Sequence, residues 1–241
     1  MGVLGRWNHP GHRHDTGVRT GGYALAAGTP ESMHLVDLDT SPEDLRIDNA
    51  RKLKKMGVHK SLRDEFIDHP WFSPRHRTIL VDSLDKLGNA SGRADFVRIA
   101  VSANSEYEAF RYQRLAELLR AYHEYVSPID ALMTQKGIVM ASAKDGSVVV
   151  PMLVDYGVWT PRTRAFAERL KHAISSIPPP ARKFFWITGR LSPEMTAEMR
   201  ARGWEVEENI SEKHLLAYEY QEQMAIKDHL FGQRILPRIG D

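Results

Sequence analysis

The residues with the most chemical promise lie in two stretches. The first, Leu153-Val154-Asp155-Tyr156-Gly157-Val158-Trp159, puts a carboxylate at the end of an apolar run, with aromatic rings beside it. A carboxylate placed there can act as a general base, and strand ends next to loops are where α/β folds set reactive groups. The second stretch runs from Phe184 to Val206 and reads strand, glycine turn, helix, strand. Gly189 permits an unusual backbone angle, Arg190 adds positive charge, and the free N–H groups near Ser192 point out of a helix start. With Tyr156, these residues make a candidate anion site. The plainer reading is that Asp155 caps a turn and that Ser192 caps its own helix, which Pro193 opens. The turn matches neither G-x-G-x-x-G nor G-x-x-x-x-G-K-[ST], the phosphate-loop patterns.

Histidines supply the remaining candidates. His123 sits on an apolar helical stripe, where it is either a shifted general base or a hydrogen-bonded core residue. His9, His12 and His14, followed by Asp15, have enough donors for zinc, nickel or copper, but they lie in a stretch with no periodic scaffold. No H-E-x-x-H, no G-x-S-x-G and no cysteine is present. Disulfides, thiolate metal sites and cysteine nucleophiles are therefore excluded, and no cofactor is expected. Glu205 and Glu207 share a strand face, yet the Asp/Glu-x-Lys strand expected of a metal-dependent nuclease is missing.

The elements that must position these residues can be read from caps and periodicity. Ser41-Pro42, Ser73-Pro74, Thr160-Pro161 and Ser192-Pro193 each set a capping hydroxyl before a proline, which costs nothing at the first helical position. Gly57, Gly88 and Gly203 stand where a helix ends in a left-handed residue. These signals predict helices near 42–56, 74–87, 161–175 and 193–202, with two more near 60–69 and 92–103. The longest helix, about 105–126, buries Tyr112, Leu115, Ala116, Leu119, Tyr122, His123 and Val126, and pairs Arg120 with Glu124 on its outer face. Trp71 and Phe72 dock the turn between His69 and His76 onto the bundle.

After Gly137 the period changes. Two β-rich runs surround Asp145-Gly146, a hairpin signal, and Pro151 points to an edge strand or a bulge. The expected fold class is α+β or α/β: an N-terminal helical bundle, then a small mixed sheet of order β-β-α-β-α-β flanked by helices. The expected parts are a disordered tail over 1–40, the bundle over 41–133, an α/β domain over 137–210, and a C-terminal amphipathic helix and tail over 211–241.

The 241 residues are 42% hydrophobic and 27% charged, which fits a soluble globular chain. The net charge of +2 is spread over residues 1–40, 41–136, 137–210 and 211–241 as −1, +2, +2 and −1, so none is a basic domain and nucleic-acid binding is not expected. It would require Arg162, Arg164, Arg169, Lys171, Arg182 and Lys183 to form one stripe. No run reaches the roughly 18 apolar residues of a membrane span. No export signal is evident, which points to the cytoplasm. With no catalytic signature, the sequence reads as an interaction or scaffold protein, associating with a partner or with itself through the helix at 212–231. The alternative is an enzyme or binding protein for an anionic small molecule, with its site at the strand ends; a second alternative is a weak nucleic-acid binder.

Overall fold

The computed structural model describes residues 40–215, except Lys136. Five helices come first: α1 (Pro42–Lys55), α2 (Lys60–Ile67), α3 (Pro74–Lys86), α4 (Arg93–Ala100) and α5 (Glu106–Tyr125). Three strands follow, β1 (Ile129–Gln135), β2 (Ile138–Ala143) and β3 (Val148–Met152), and then the short β4 (Tyr156–Gly157). The chain continues through α6 (Pro161–Ser175), β5 (Lys183–Ile187), β6 (Arg190–Leu191), α7 (Pro193–Ala201) and β7 (Glu205–Glu207). It ends, among the described residues, in a π-helical turn at Ser211–Leu215.

The caps explain the helix starts. The side chains of Ser41, Ser73, Thr160 and Ser192 each accept a backbone N–H from the first turn. Thr160 and Thr163 also cap each other reciprocally. Gly57, Gly88 and Gly203 take the left-handed conformation just past their helices.

The main sheet is mixed, in the order β1-β2-β3-β5-β7, with β1-β2-β3 antiparallel and β3-β5-β7 parallel. The hairpin forms around Asp145-Gly146, where Asp145 accepts the Ser147 N–H at 3.0 Å. Side chains alternate strictly between faces. Val139, Ala141, Val149, Phe184 and Trp186 join the core of the helical bundle. Ile138, Met140, Val148, Val150, Phe185 and Ile187 pack instead against Ala167, Leu170 and Ala173 of α6 and Met195 and Met199 of α7. The sheet is thus a middle layer between two helical layers, and one apolar core runs from Leu53 in α1 to Trp186 in β5. Tyr122 pins α5 to this layer. Its ring packs edge-on against Trp186 at 5.0 Å, and its hydroxyl bonds Ser147 Oγ at 2.7 Å.

Several expectations need correction. Residues 129–135 are a strand, not part of the helical run, so the sheet gains β1. Pro151 lies in β3, the third of five strands, not at an edge. It is tolerated because pairing with β2 stops at Val149, so the missing N–H interrupts no bond on that side. A bulge does occur, but in β1 between Ile129 and Ala131. Phe72 docks its turn, while Trp71 stays 44% exposed. Arg120 does pair with Glu124, at 2.9 Å, but the guanidinium is buried rather than on an outer face.

Candidate functional site

Beyond β3 and β5 the two segments stay bonded, the Thr188 N–H donating to the Met152 carbonyl at 3.1 Å, and pair again in parallel as β4 with β6. Gly189, Arg190 and Ser192 donate their N–H groups to the carbonyls of Val154, Asp155 and Gly157, at 2.8, 3.0 and 2.7 Å. Asp155, Tyr156, Gly189, Arg190 and Ser192 are thereby drawn to one end of the sheet. Gly189 is required there for space, not for angle. Its φ is not positive, but a Cβ would stand 2.1 Å from the Asp155 carbonyl oxygen. On the far side, Gly189 accepts the N–H of Asn209 at 2.8 Å, and Asn209 is itself left-handed with φ of 56°.

The side chains divide by task. Ser192 Oγ accepts the Met195 N–H at 3.2 Å, so its hydroxyl is committed to capping α7. Glu208, which the sequence did not single out, accepts the Leu191 N–H at 2.8 Å and brings a carboxylate beside the turn. Asp155 and Arg190 are exposed on adjacent strand ends, and neither enters an ion pair among the described residues. Tyr156 is 59% and Val158 45% exposed beside them. Trp159 turns inward and packs against the core under α6, where the Arg202 guanidinium covers its ring at 4.9 Å.

His123 lies apart from this cluster. Its Nδ1 accepts the Ile129 N–H at 3.0 Å, which fixes the chain as it leaves α5 for β1. Burial holds its pKa below the ordinary value. Lys144 adds to that effect and Glu124 opposes it. The imidazole is therefore kept neutral with Nδ1 as the acceptor.

Of the six cations required for a nucleic-acid stripe, Arg162, Arg164, Arg169 and Lys171 are exposed on α6. The other two are occupied. Arg182 makes a forked pair with Glu205 at 2.8 and 2.5 Å, holding that carboxyl below its usual range. Lys183 donates to the Arg202 carbonyl at 2.6 Å. Glu205 is thus the partner of an arginine, not a free metal ligand.

His9, His12 and His14 lie outside the described residues, as does most of the helix expected at 212–231. Among the described residues, no group of three or more His, Asp or Glu side chains is arranged to hold a metal ion, and no helix is long and apolar enough to cross a membrane.

A cavity of about 370 Å³ opens elsewhere, against α4, α5 and the β1-β2 hairpin. Its one indirect signal in the sequence is the apolar stripe of α5. Tyr112 and Leu115 belong to that stripe, and both line this cavity, only partly buried. Comparison with protein-family models, curated proteins and solved structures finds no match for the chain.

Proposed function

We propose that this is a non-catalytic interaction protein that associates with a second copy of itself through the strand-end surface. The observation that supports this is that charges of opposite sign are exposed at the same strand ends, Arg190 in register with Tyr156 and Asp155 one residue before it. Asp155 and Arg190 stand exposed on neighbouring strand ends, each without a salt-bridge partner among the described residues. A patch with one carboxylate and one guanidinium is self-complementary about a two-fold axis: Asp155 of one copy meets Arg190 of the other, and the reverse. Tyr156 and Val158 supply the apolar contact between the two charge pairs. So small a patch supports weak association, with a dissociation constant on the order of 10 μM or above.

Sedimentation equilibrium of the full chain tests the proposal. The expected result is a mass that rises from one chain toward two with concentration, and that Tyr156→Ser returns toward one. A single-chain mass at every concentration contradicts it.

A second reading, a site for a small anion at the same strand ends, is favoured by the convergence of Gly189, Arg190 and Ser192. Two features weigh against it: the Ser192 hydroxyl is already used, and the Glu208 carboxylate repels an anion at the turn. Inorganic phosphate should therefore leave the thermal midpoint unchanged. A rise that Arg190→Gln removes would favour this second reading.

A further inference from the structure

The cavity of about 370 Å³ has the size of a small-molecule site, and its lining combines apolar and charged groups. Ile99, Leu115 and Val139 form an apolar floor. The Tyr112 ring makes one wall, held edge-on by Phe96 at 6.3 Å, with its hydroxyl 3.5 Å from Ser102 Oγ. Glu108 and Arg111 also line the cavity, three residues apart on α5. That spacing usually brings opposite charges together on a helix. Here neither residue enters an ion pair among the described residues. Glu108 accepts the Asn104 N–H at 3.0 Å, which draws its carboxylate toward the helix start, and Arg111 is left exposed.

A ligand entering this cavity meets a carboxylate and a guanidinium at once. A simple anion is attracted by Arg111 and repelled by Glu108, and a simple cation meets the reverse. A zwitterion with an apolar body satisfies both charges and the floor. We propose that the cavity binds an α-amino acid with a large apolar side chain. Its carboxylate pairs with the planar fork of Arg111, its ammonium donates to Glu108, and its side chain covers Ile99, Leu115 and Val139. None of these residues belongs to the strand-end surface, so this inference and the self-association stand or fall separately.

Calorimetric titration of the full chain tests it, with L-phenylalanine, 3-phenylpropanoate, which lacks the ammonium, and 2-phenylethylamine, which lacks the carboxylate. L-phenylalanine should bind, and each single-charge analogue should bind at least about tenfold more weakly, the cost of one charge-assisted hydrogen bond. Arg111→Gln should weaken L-phenylalanine about tenfold and leave 2-phenylethylamine no weaker. Glu108→Gln keeps an acceptor for the Asn104 N–H; it should weaken L-phenylalanine by a similar factor and leave 3-phenylpropanoate no weaker. Ser102→Trp, which fills the mouth from an exposed position, should abolish binding. Absence of binding by both L-phenylalanine and L-leucine up to roughly 10 mM overturns the proposal, as do analogues that bind as tightly as the amino acid.

Discussion

At the scale of single residues, the polar side chains of this fold mostly secure backbone. His123 is the clearest case. Protonating Nδ1 would turn an acceptor into a donor facing the Ile129 N–H. Because burial holds the folded pKa below the ordinary value near 6.5, the unfolded chain takes up the proton first. His123 therefore contributes stability that is fully present above that value and is lost as pH falls through the folded pKa. Burial shifts His76 and His214 in the same direction, and the His214 ring lies flat on Trp186 at 5.1 Å. The thermal midpoint should fall as pH drops from about 6.5 toward 5, with a shallower slope in His123→Ala, which also loses about 1–2 kcal/mol at neutral pH. A midpoint that does not change over that window contradicts this account. The buried Arg114–Glu117 pair, at 2.9 Å, makes a second case. Glu117→Leu leaves a buried guanidinium short of its main countercharge and should cost about 3–5 kcal/mol in denaturant titrations. The capping role of Ser192 was legible in the sequence, because a cap and its helix are neighbours in the chain. The burial of Arg120 and the exposure of Trp71 were not, because each depends on elements distant in sequence.

At the scale of elements, the seven α-helices among the described residues were legible from their caps and stripes, and the hairpin from Asp145-Gly146. β1 was not. Its sequence, Ile-Asp-Ala-Leu-Met-Thr-Gln, is poor in β-branched residues, and Ala, Leu, Met and Gln favour helix. Pairing with β2 along Ala131–Gln135 imposes the strand, and a local reading has no access to that partner. The register of β1 is also set from the bundle. Ser91 bridges Ala131, and the Gly92 backbone approaches so closely that a Cβ would lie 2.1 Å from the Leu132 carbonyl oxygen. Gly92 is also left-handed, with φ of +77°. Gly92→Ala should therefore loosen β1 from α4, and Gly189→Ala should part β4 from β6. Each should cost about 2 kcal/mol or more in chemical unfolding. Hydrogen exchange separates the two: the first should deprotect Leu132, the second Arg190 and Ser192. Protection unchanged in either variant would show that the close approach is not required.

At the scale of the whole molecule, the sheet has no independent face. The bundle covers one side and α6 with α7 covers the other, so the same strands contribute to two apolar clusters built from residues far apart in sequence. Unfolding followed by tryptophan fluorescence and by circular dichroism should give coincident transitions; two separated transitions would contradict coupling of the two clusters through the sheet. Exposed at the strand ends are Asp155 and Arg190, of opposite charge, with Tyr156 and Val158. The sequence showed which residues could meet there, but not whether they would form a pocket or a surface, since that depends on how β4 and β6 pair beyond the main sheet. The most direct test of the proposed self-association is a charge-swap cycle, read as the mass of the full chain by sedimentation equilibrium. Asp155→Arg and Arg190→Asp each place like charges opposite one another and should abolish the dimer, while the two together restore the complement and should recover it. A double variant that stays monomeric while the unaltered chain dimerises, or single variants that dimerise as well as the unaltered chain, would contradict it.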